Sequence, residues 1–348
     1  MCITGLVWDS IPGILLLLLS NRDELLDRPT ARAAFWDDHP NIFGGRDLGL
    51  GGTWLALSRS GRVCSLTNVR VPADRIKHGP SVPSRGELVP GFLEADRSTS
   101  PAQHLGSLQL GDNCPYNHYS LLAGDLATRE LAYVCSDGQG PWENGNGACR
   151  SSGGRTVPSN TDREGSTEGG GTGGVLRLER GVHALSNGHL GSRWPKTERL
   201  RARLDGVVER MRAGGGVEGL FGGLEGLHDE LVGVMLDEGA ATGGDDGQLP
   251  CGETGWGPDT ERLLDRIYIP PAPIEPLGGQ LYGTMVTQVI TVDTAGRVVA
   301  TERFRRPGGA EVEVNRVEFE VDLTGGGGGT EGQEAASRDT AAGRRADL

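Results

Sequence analysis

Apolar runs separated by polar breaks mark out strands along most of the chain. Residues 3–8 are compact, apolar and β-branched enough for a strand, and residues 9–13 supply turn chemistry, with Pro12 fixing φ and Gly13 free to take φ > 0. Residues 14–19 are six unbroken aliphatics, the pattern of a strand covered on both faces. An antiparallel hairpin closed between Trp8 and Ile14 makes paired positions sum to about 22, which sets Cys2 opposite Ser20 to within about two residues.

The same reading predicts a hairpin of 53–57 and 63–67 ending in Asn68, another of 119–124 and 130–135, and a long last one of 282–292 and 297–304. Short strands are expected at 175–178 and 182–187, and residues 25–41 read as a loop. Trp194-Pro195-Lys196 opens a helix whose Leu200, Leu204, Val207 and Met211 share one face. A second helical stretch carries Leu220, Leu224, Leu227 and Leu231, and its interior glycines make it marginal. Residues 260–266 read as a short helical turn. Ser84-Arg85-Gly86-Glu87 has the form of a capping box ahead of Leu88.

Composition changes this picture in a few stretches. The 58 glycines cluster, and residues 136–174 hold few apolar side chains, too few to offset a backbone ordering cost of about 1–2 kcal/mol per residue. That segment is expected to be an unordered insert, 237–258 a glycine- and acid-rich loop, and 324–348 an unordered tail. The remainder makes one domain over 1–323, large enough for two packed sheets.

Charge and cysteine usage exclude several function classes. With 34 Lys+Arg against 47 Asp+Glu, the net charge of −13 argues against a nucleic-acid partner. The six cysteines are widely spread without a C-x-x-C pair, as free thiols in a reducing compartment would be. The apolar run 15–19 lacks a basic n-region and is too short to span a bilayer, so no transmembrane segment is expected and the location reads as cytoplasmic. His183 and His189 lack a third ligand between them, and Gly44-Gly45 lacks the context of a nucleotide loop. Cys114-Pro115 is weak grounds for a haem-thiolate contact. No metal or cofactor is expected.

Candidate chemistry gathers at one sheet end. Asn21-Arg22-Asp23-Glu24 emerges from the second strand beside position 2. Removal of Met1 would leave Cys2 with a thiol and an α-amine on adjacent carbons, and an amine titrating near pH 8 can serve as the thiol's base. Arg22 nearby would favour the thiolate. Arg22 and Asp23 are adjacent, so a regular strand cannot aim both inward, and Glu24 is the alternative inward carboxylate. The bland readings are a structural Arg22–Asp23 ion pair and strand-end or turn roles for Asn68 and Asn187.

These residues resemble the NRDE family of transport and Golgi organisation proteins, named for the tetrapeptide at 21–24. Supporting pieces occur in order to about residue 304. They include Gly44-Gly45-Arg46-Asp47, Gly51-Gly52-Thr53-Trp54-Leu55, Ser84-Arg85-Gly86, Trp194-Pro195-Lys196 and Tyr282-Gly283-Thr284. The family in turn is similar to N-terminal nucleophile hydrolases of the bile-salt hydrolase and penicillin V acylase group. That resemblance implies an α+β fold, a four-layer αββα sandwich of two antiparallel sheets. It implies Cys2 as nucleophile, Arg22 and Asp23 beside it, and Asn68 and Asn187 as oxyanion and amine-orienting amides. Glu24, Arg46, Trp54 and Tyr282 are the accompanying candidates for substrate binding. Relatives usually carry Arg after Tyr-Gly-Thr, where this chain has Met285. The implied function is a Cys2-dependent amidohydrolase or acyltransferase acting on a small acyl-amide or acyl-thioester. A non-enzymatic carrier on the same fold is the alternative, with a haem- or lipid-like ligand, a role in Golgi organisation and secretion, and Golgi or mitochondrial association. A scaffold protein is the third reading.

Overall fold

Pro12 and Gly13 close the first hairpin later than its apolar pattern indicates, and this shifts the register of the whole site. In the computed structural model, which describes residues 2–71, 73–138, 174–192, 194–214, 216–239, 256–308 and 311–324, β1 (Cys2–Ile11) runs on to the Pro-Gly turn. Ile11 pairs with Ile14 of β2 (Ile14–Leu25), and a bulge follows between Trp8 and Ile11, where Asp9 takes φ 40°. Cys2 therefore lies opposite Arg22, two residues beyond Ser20 and within the expected range. The segments expected to be unordered fall largely on 139–173 and 325–348, and most of the 237–258 loop on 240–255, outside the described residues.

Among the described residues, two seven-stranded antiparallel sheets form. The second holds β3 (Thr30–Phe35), β4 (Ile42–Asp47), β5 (Leu55–Ser58), β6 (Arg62–Asn68), β7 (Tyr119–Asp125), β8 (Glu130–Cys135) and β9 (Leu176–Arg177) in sequence order. The first runs β10 (Gly181–Leu185), β1, β2, β12 (Gln280–Asp293), β13 (Arg297–Arg305), β14 (Val312–Glu320), with β11 (Ala272–Ile274) pairing onto β12. The aliphatic run of β2 is central, between β1 and β12, so both of its faces are covered.

Three apolar clusters separate four layers. Between the sheets, Leu16 and Leu18 of β2 meet Phe43, Leu55, Leu57 and Leu122 of the opposing sheet. On the outer face of the first sheet, Ile3, Leu17 and Leu19 pack under α3 (Pro195–Ala213) and α5 (Leu224–Met235) through Leu200, Leu204, Leu227 and Leu231. On the outer face of the second, Cys64, Leu121 and Val134 pack under α1 (Leu88–Leu93) and α2 (Pro101–Gly106) through Val89, Phe92 and Leu105. This is the αββα sandwich.

Departures from the sequence pattern have local causes. Residues 30–35 form β3 instead of loop, held by pairing with β4 and by the Ala33 amide, which donates to Glu302 of the other sheet. The second helical stretch splits into α4 (Gly216–Phe221) and α5, because Gly222 and Gly223 both sit at positive φ. A short α6 (Pro258–Leu264) precedes β11. Ser84 makes no capping hydrogen bond, and the capping box belongs to Ser100 and Gln103 at α2. Strand β14 escapes the pattern because its apolar residues switch parity, from Val312 and Val314 to Val317 and Phe319.

One buried histidine makes the packing pH-dependent. His228 of α5 lies between the hydroxyls of Thr301 (2.8 Å) and Thr291 (3.1 Å), and burial pushes its imidazole from 6.5 down to about 4. The unfolded chain takes up this proton near 6.5 and the folded chain only near 4. Its stabilisation is complete above pH 6.5 and is lost as pH falls toward 4. Glu302, pushed up to about 7 by burial, acts in the opposite sense. Urea unfolding at about pH 7.5 and about pH 5 is expected to show wild type losing about 2 kcal/mol more than His228→Gln. Equal pH dependence in the two proteins would refute the assignment.

Candidate functional site

At the end of the sandwich where β1 begins, a cavity of about 420 Å³ opens between the sheets. Cys2, Arg22, Asp23, Glu24, Trp54 and Asn68 border it, and Lys77, Arg85 and Asn117 face them. Close loop approach depends on two glycines. A Cβ on Gly52 would lie 2.3 Å from the Gly86 backbone, and one on Gly45 would lie 2.5 Å from the Trp54 ring.

Arg22 bridges the two sheets. Its Nη1 donates to Thr30 Oγ1 (2.9 Å) and its Nη2 to Asp47 Oδ2 (2.9 Å), while the guanidinium stacks 4.6 Å from the Trp54 ring centroid. Arg28 Nε donates to the same Asp47 oxygen at 2.6 Å. Burial pushes Asp47 up, but the hydrogen bond and charge of Arg28 and the charge of Arg22 outweigh it and hold the carboxyl below its ordinary value.

Asp23 turns the other way, as its place next to Arg22 requires. Its Oδ1 accepts from Thr284 Oγ1 (2.6 Å) and its backbone oxygen from the Tyr282 hydroxyl (2.9 Å). Burial raises its carboxyl above the ordinary range against the opposing effects of Lys196 and Thr284. A bulge between Thr284 and Val286 sets Met285 aside from the pairing, and its Sδ lies 3.5 Å from Arg22 Nη1.

Cys2 is only 8% exposed, and its backbone oxygen accepts from Ser186 Oγ at 2.8 Å. Burial pushes the thiol pKa up, and Asp23 and Glu24 add to this while Arg22 opposes it. Arg22 does favour the thiolate, as expected, but the cost of burying the charged sulfur outweighs it.

The remaining candidates divide between the cavity and its supports. Asn68 borders the cavity, and its side-chain amide makes no hydrogen bond among the described residues. Asn187 is committed elsewhere: Nδ2 donates to Asn68 O (2.9 Å) and Oδ1 accepts from Ser186 Oγ (3.1 Å). Glu24 borders the cavity while its Oε1 accepts from the Leu25 amide. Arg46 lies outside the lining, forked onto Asp38 at 2.6 Å and stacked on Trp36. Tyr282 is likewise behind the site, against Asp23.

Sequence reasoning missed Asp47 and Arg85, although both stand in the quoted motifs Gly44-Gly45-Arg46-Asp47 and Ser84-Arg85-Gly86. Arg85 Nη1 donates to His118 O (2.9 Å), and burial lowers the guanidinium pKa against the charges of Cys2 and Glu24. For a metal, the described residues offer one group of three donors, Cys135, Asp137 and His189, apart from the cavity lining.

The family model TANGO2, described as Transport and Golgi organisation 2, matches residues 1–307. The chain is 34% identical to the Transport and Golgi organization 2 homolog of Mus musculus over 142 residues, 39% of this chain, and that match spans 49% of the mouse protein. It is 28% identical to the Bos taurus homolog over 314 residues, 87% of this chain and 92% of the bovine protein. Among solved structures, a C2A mutant of conjugated bile acid hydrolase from Clostridium perfringens aligns with a TM-score of 0.38 and 12% identity, over 92% of this chain and 98% of that one.

The Arg22–Asp47 contact yields a stability prediction. Asp47→Asn removes the nearer carboxylate from the nearly enclosed Arg22 guanidinium, leaving Glu24 at 4.0 Å, and is expected to lower the unfolding free energy by about 3 kcal/mol. Arg28→Gln removes a more exposed partner and is expected to cost under about 1 kcal/mol. Denaturant titration checks both, and equal effects would contradict the burial argument.

Proposed function

Because the chain belongs to the transport and Golgi organisation 2 family, we propose that it serves transport and Golgi organisation through acyl chemistry at Cys2, on a small acyl-amide or acyl-thioester. The observation that carries this reading is the Cys2 thiol at the head of β1, bordering a substrate-sized cavity opposite Arg22.

The chemistry follows from the thiol's burial. With its pKa raised, Cys2 is a neutral thiol at pH 7, so attack needs a base at the moment of reaction. After removal of Met1 the Cys2 α-amine is that base. It takes the thiol proton as sulfur bonds to the acyl carbon, and returns it to the departing amine or thiol. Water then attacks the thioester and releases the acid, or an acceptor amine takes the acyl group. The Asn68 amide, which makes no hydrogen bond among the described residues, is the donor for the oxyanion, being neutral and untitrated. Asp23, Thr284 and Tyr282 position the strand end and do not act on the acyl group.

A carrier without chemistry is the second reading. Commitment of the Asn187 amide to the Asn68 backbone favours it, because one fewer amide is left to stabilise an oxyanion.

Intact mass is expected to show loss of Met1. Cys2→Ala should abolish acyl release while leaving ligand binding, and insertion of Ala before Cys2 should slow both acyl release and alkylation of Cys2, since the amine becomes an amide. Peptide mass spectrometry of alkylation, with the fully enclosed Cys64 as reference, supplies the second readout. Full family function in Cys2→Ala, with alkylation indifferent to the inserted residue, would leave the carrier.

A further inference from the structure

Three donors of different chemistry converge where β8 ends. Cys135 is the last residue of β8, Asp137 follows two positions later, and His189 arrives on the connection leaving β10. One ligand atom from each, a sulfur, a carboxylate oxygen and an imidazole nitrogen, lies within 4.8 Å of the other two. His189 Nε2 is 2.6 Å from Asp137 Oδ2. Sequence spacing hid the group, because the 139–173 segment separates Cys135 and Asp137 from His189.

The backbone is held on either side of His189. Gly188 O accepts from Ser120 Oγ at 2.9 Å, and the Leu190 amide donates to the Tyr133 hydroxyl at 2.9 Å. Ser120 and Tyr133 are buried in the second sheet and meet at 3.0 Å. His189 is thus presented to the end of β8 with little ordering left to do on binding.

We propose that Cys135, Asp137 and His189 bind one zinc-class divalent ion, with water completing the tetrahedron. Thiolate and imidazole select zinc and its neighbours over magnesium or calcium, which prefer oxygen-only shells. Bonds of about 2.0–2.3 Å place tetrahedral ligand atoms roughly 3.3–3.8 Å apart, inside the observed spread. The Asp137–His189 contact, at 2.6 Å, must open by about 1 Å. The side chains of Asp137 and His189 are 24% and 13% exposed, which leaves a solvent side for the water. Binding displaces the thiol proton, and any proton held by the imidazole, to solvent.

The same three side chains have the order of a thiol–imidazole–carboxylate nucleophile. Cys135 is wholly enclosed in the inter-sheet core, where a bulky substrate has no approach, whereas an ion can reach the sulfur from the side on which Asp137 and His189 are part-exposed. The ion joins the end of β8 in one sheet to the chain leaving β10 in the other, a structural clamp.

The test uses the full chain, stripped with a chelator and titrated with Co(II), then with Zn(II) in competition. One equivalent of Co(II) is expected to give a thiolate-to-cobalt charge-transfer band with visible bands of four-coordinate intensity, and Zn(II) should displace it. Cys135→Ser should remove the charge-transfer band, and His189→Gln and Asp137→Asn should each weaken zinc binding by about 10–100-fold or more. A Cys149→Ser/Cys251→Ser double variant should bind as wild type does. Absence of the band in wild type, or its persistence in Cys135→Ser, would overturn the proposal. Where Cys135→Ser does not fold, unchanged zinc affinity in folded His189→Gln or Asp137→Asn overturns it equally.

Discussion

A guanidinium buried between two sheets must find its acceptors across the gap, and Arg22 imposes that constraint on the rest of this structure. It leaves β2 of one sheet and reaches Thr30 and Asp47, which belong to the other. Asp47 satisfies Arg22 and Arg28 together, so β4 and the segment after β2 are tied at the same point. Trp54 covers the guanidinium face, and it fits because Gly45 has no Cβ to meet its ring. Sheet alignment at the cavity is therefore electrostatic as well as apolar, whereas deeper in the sandwich apolar side chains such as Leu16, Leu18, Leu55 and Leu57 make up most of the contact.

This arrangement bears on what Cys2 can do. The cation opposite the thiol favours the thiolate, but burial outweighs it and dominates the thiol's protonation. On the proposed chemistry, a thiol placed this way depends on a base brought with it, which the α-amine would supply once Met1 is removed. Asp23 faces the opposite side of the strand, braced by Thr284 and Tyr282. The two charged residues at 22 and 23 thus divide the labour of inter-sheet clamp and strand-end brace. Arg85 and Lys77 on the far wall leave the cavity with cations facing the thiol, a distribution the overall acidity of the chain does not suggest.

The zinc-class site and the cavity sit on opposite flanks of one connection. The chain leaving β10 contributes Ser186 to the Cys2 backbone, Asn187 to the Asn68 backbone and His189 to the donor group. Order in that short segment bears on both places at once.

What was legible in the chain is what local pattern controls. The unbroken aliphatics of 14–19, the face shared by Leu200, Leu204, Val207 and Met211, and the Gly-centred hairpins all carry their geometry in adjacent residues. Together with Cys2 and the motif at 21–24 they indicated two packed sheets and located one end of the site. Strand β3 and the parity-switching β14 take their order from partners distant in sequence. The register of Cys2 against Arg22 turned on a bulge at Asp9, which no alternation rule places. The roles of Asp47, Arg85 and Met285, and the meeting of Cys135 with His189, depend on which side chains cross between layers. That is decided by packing and charge neutralisation in three dimensions, and periodicity within a segment holds no record of it.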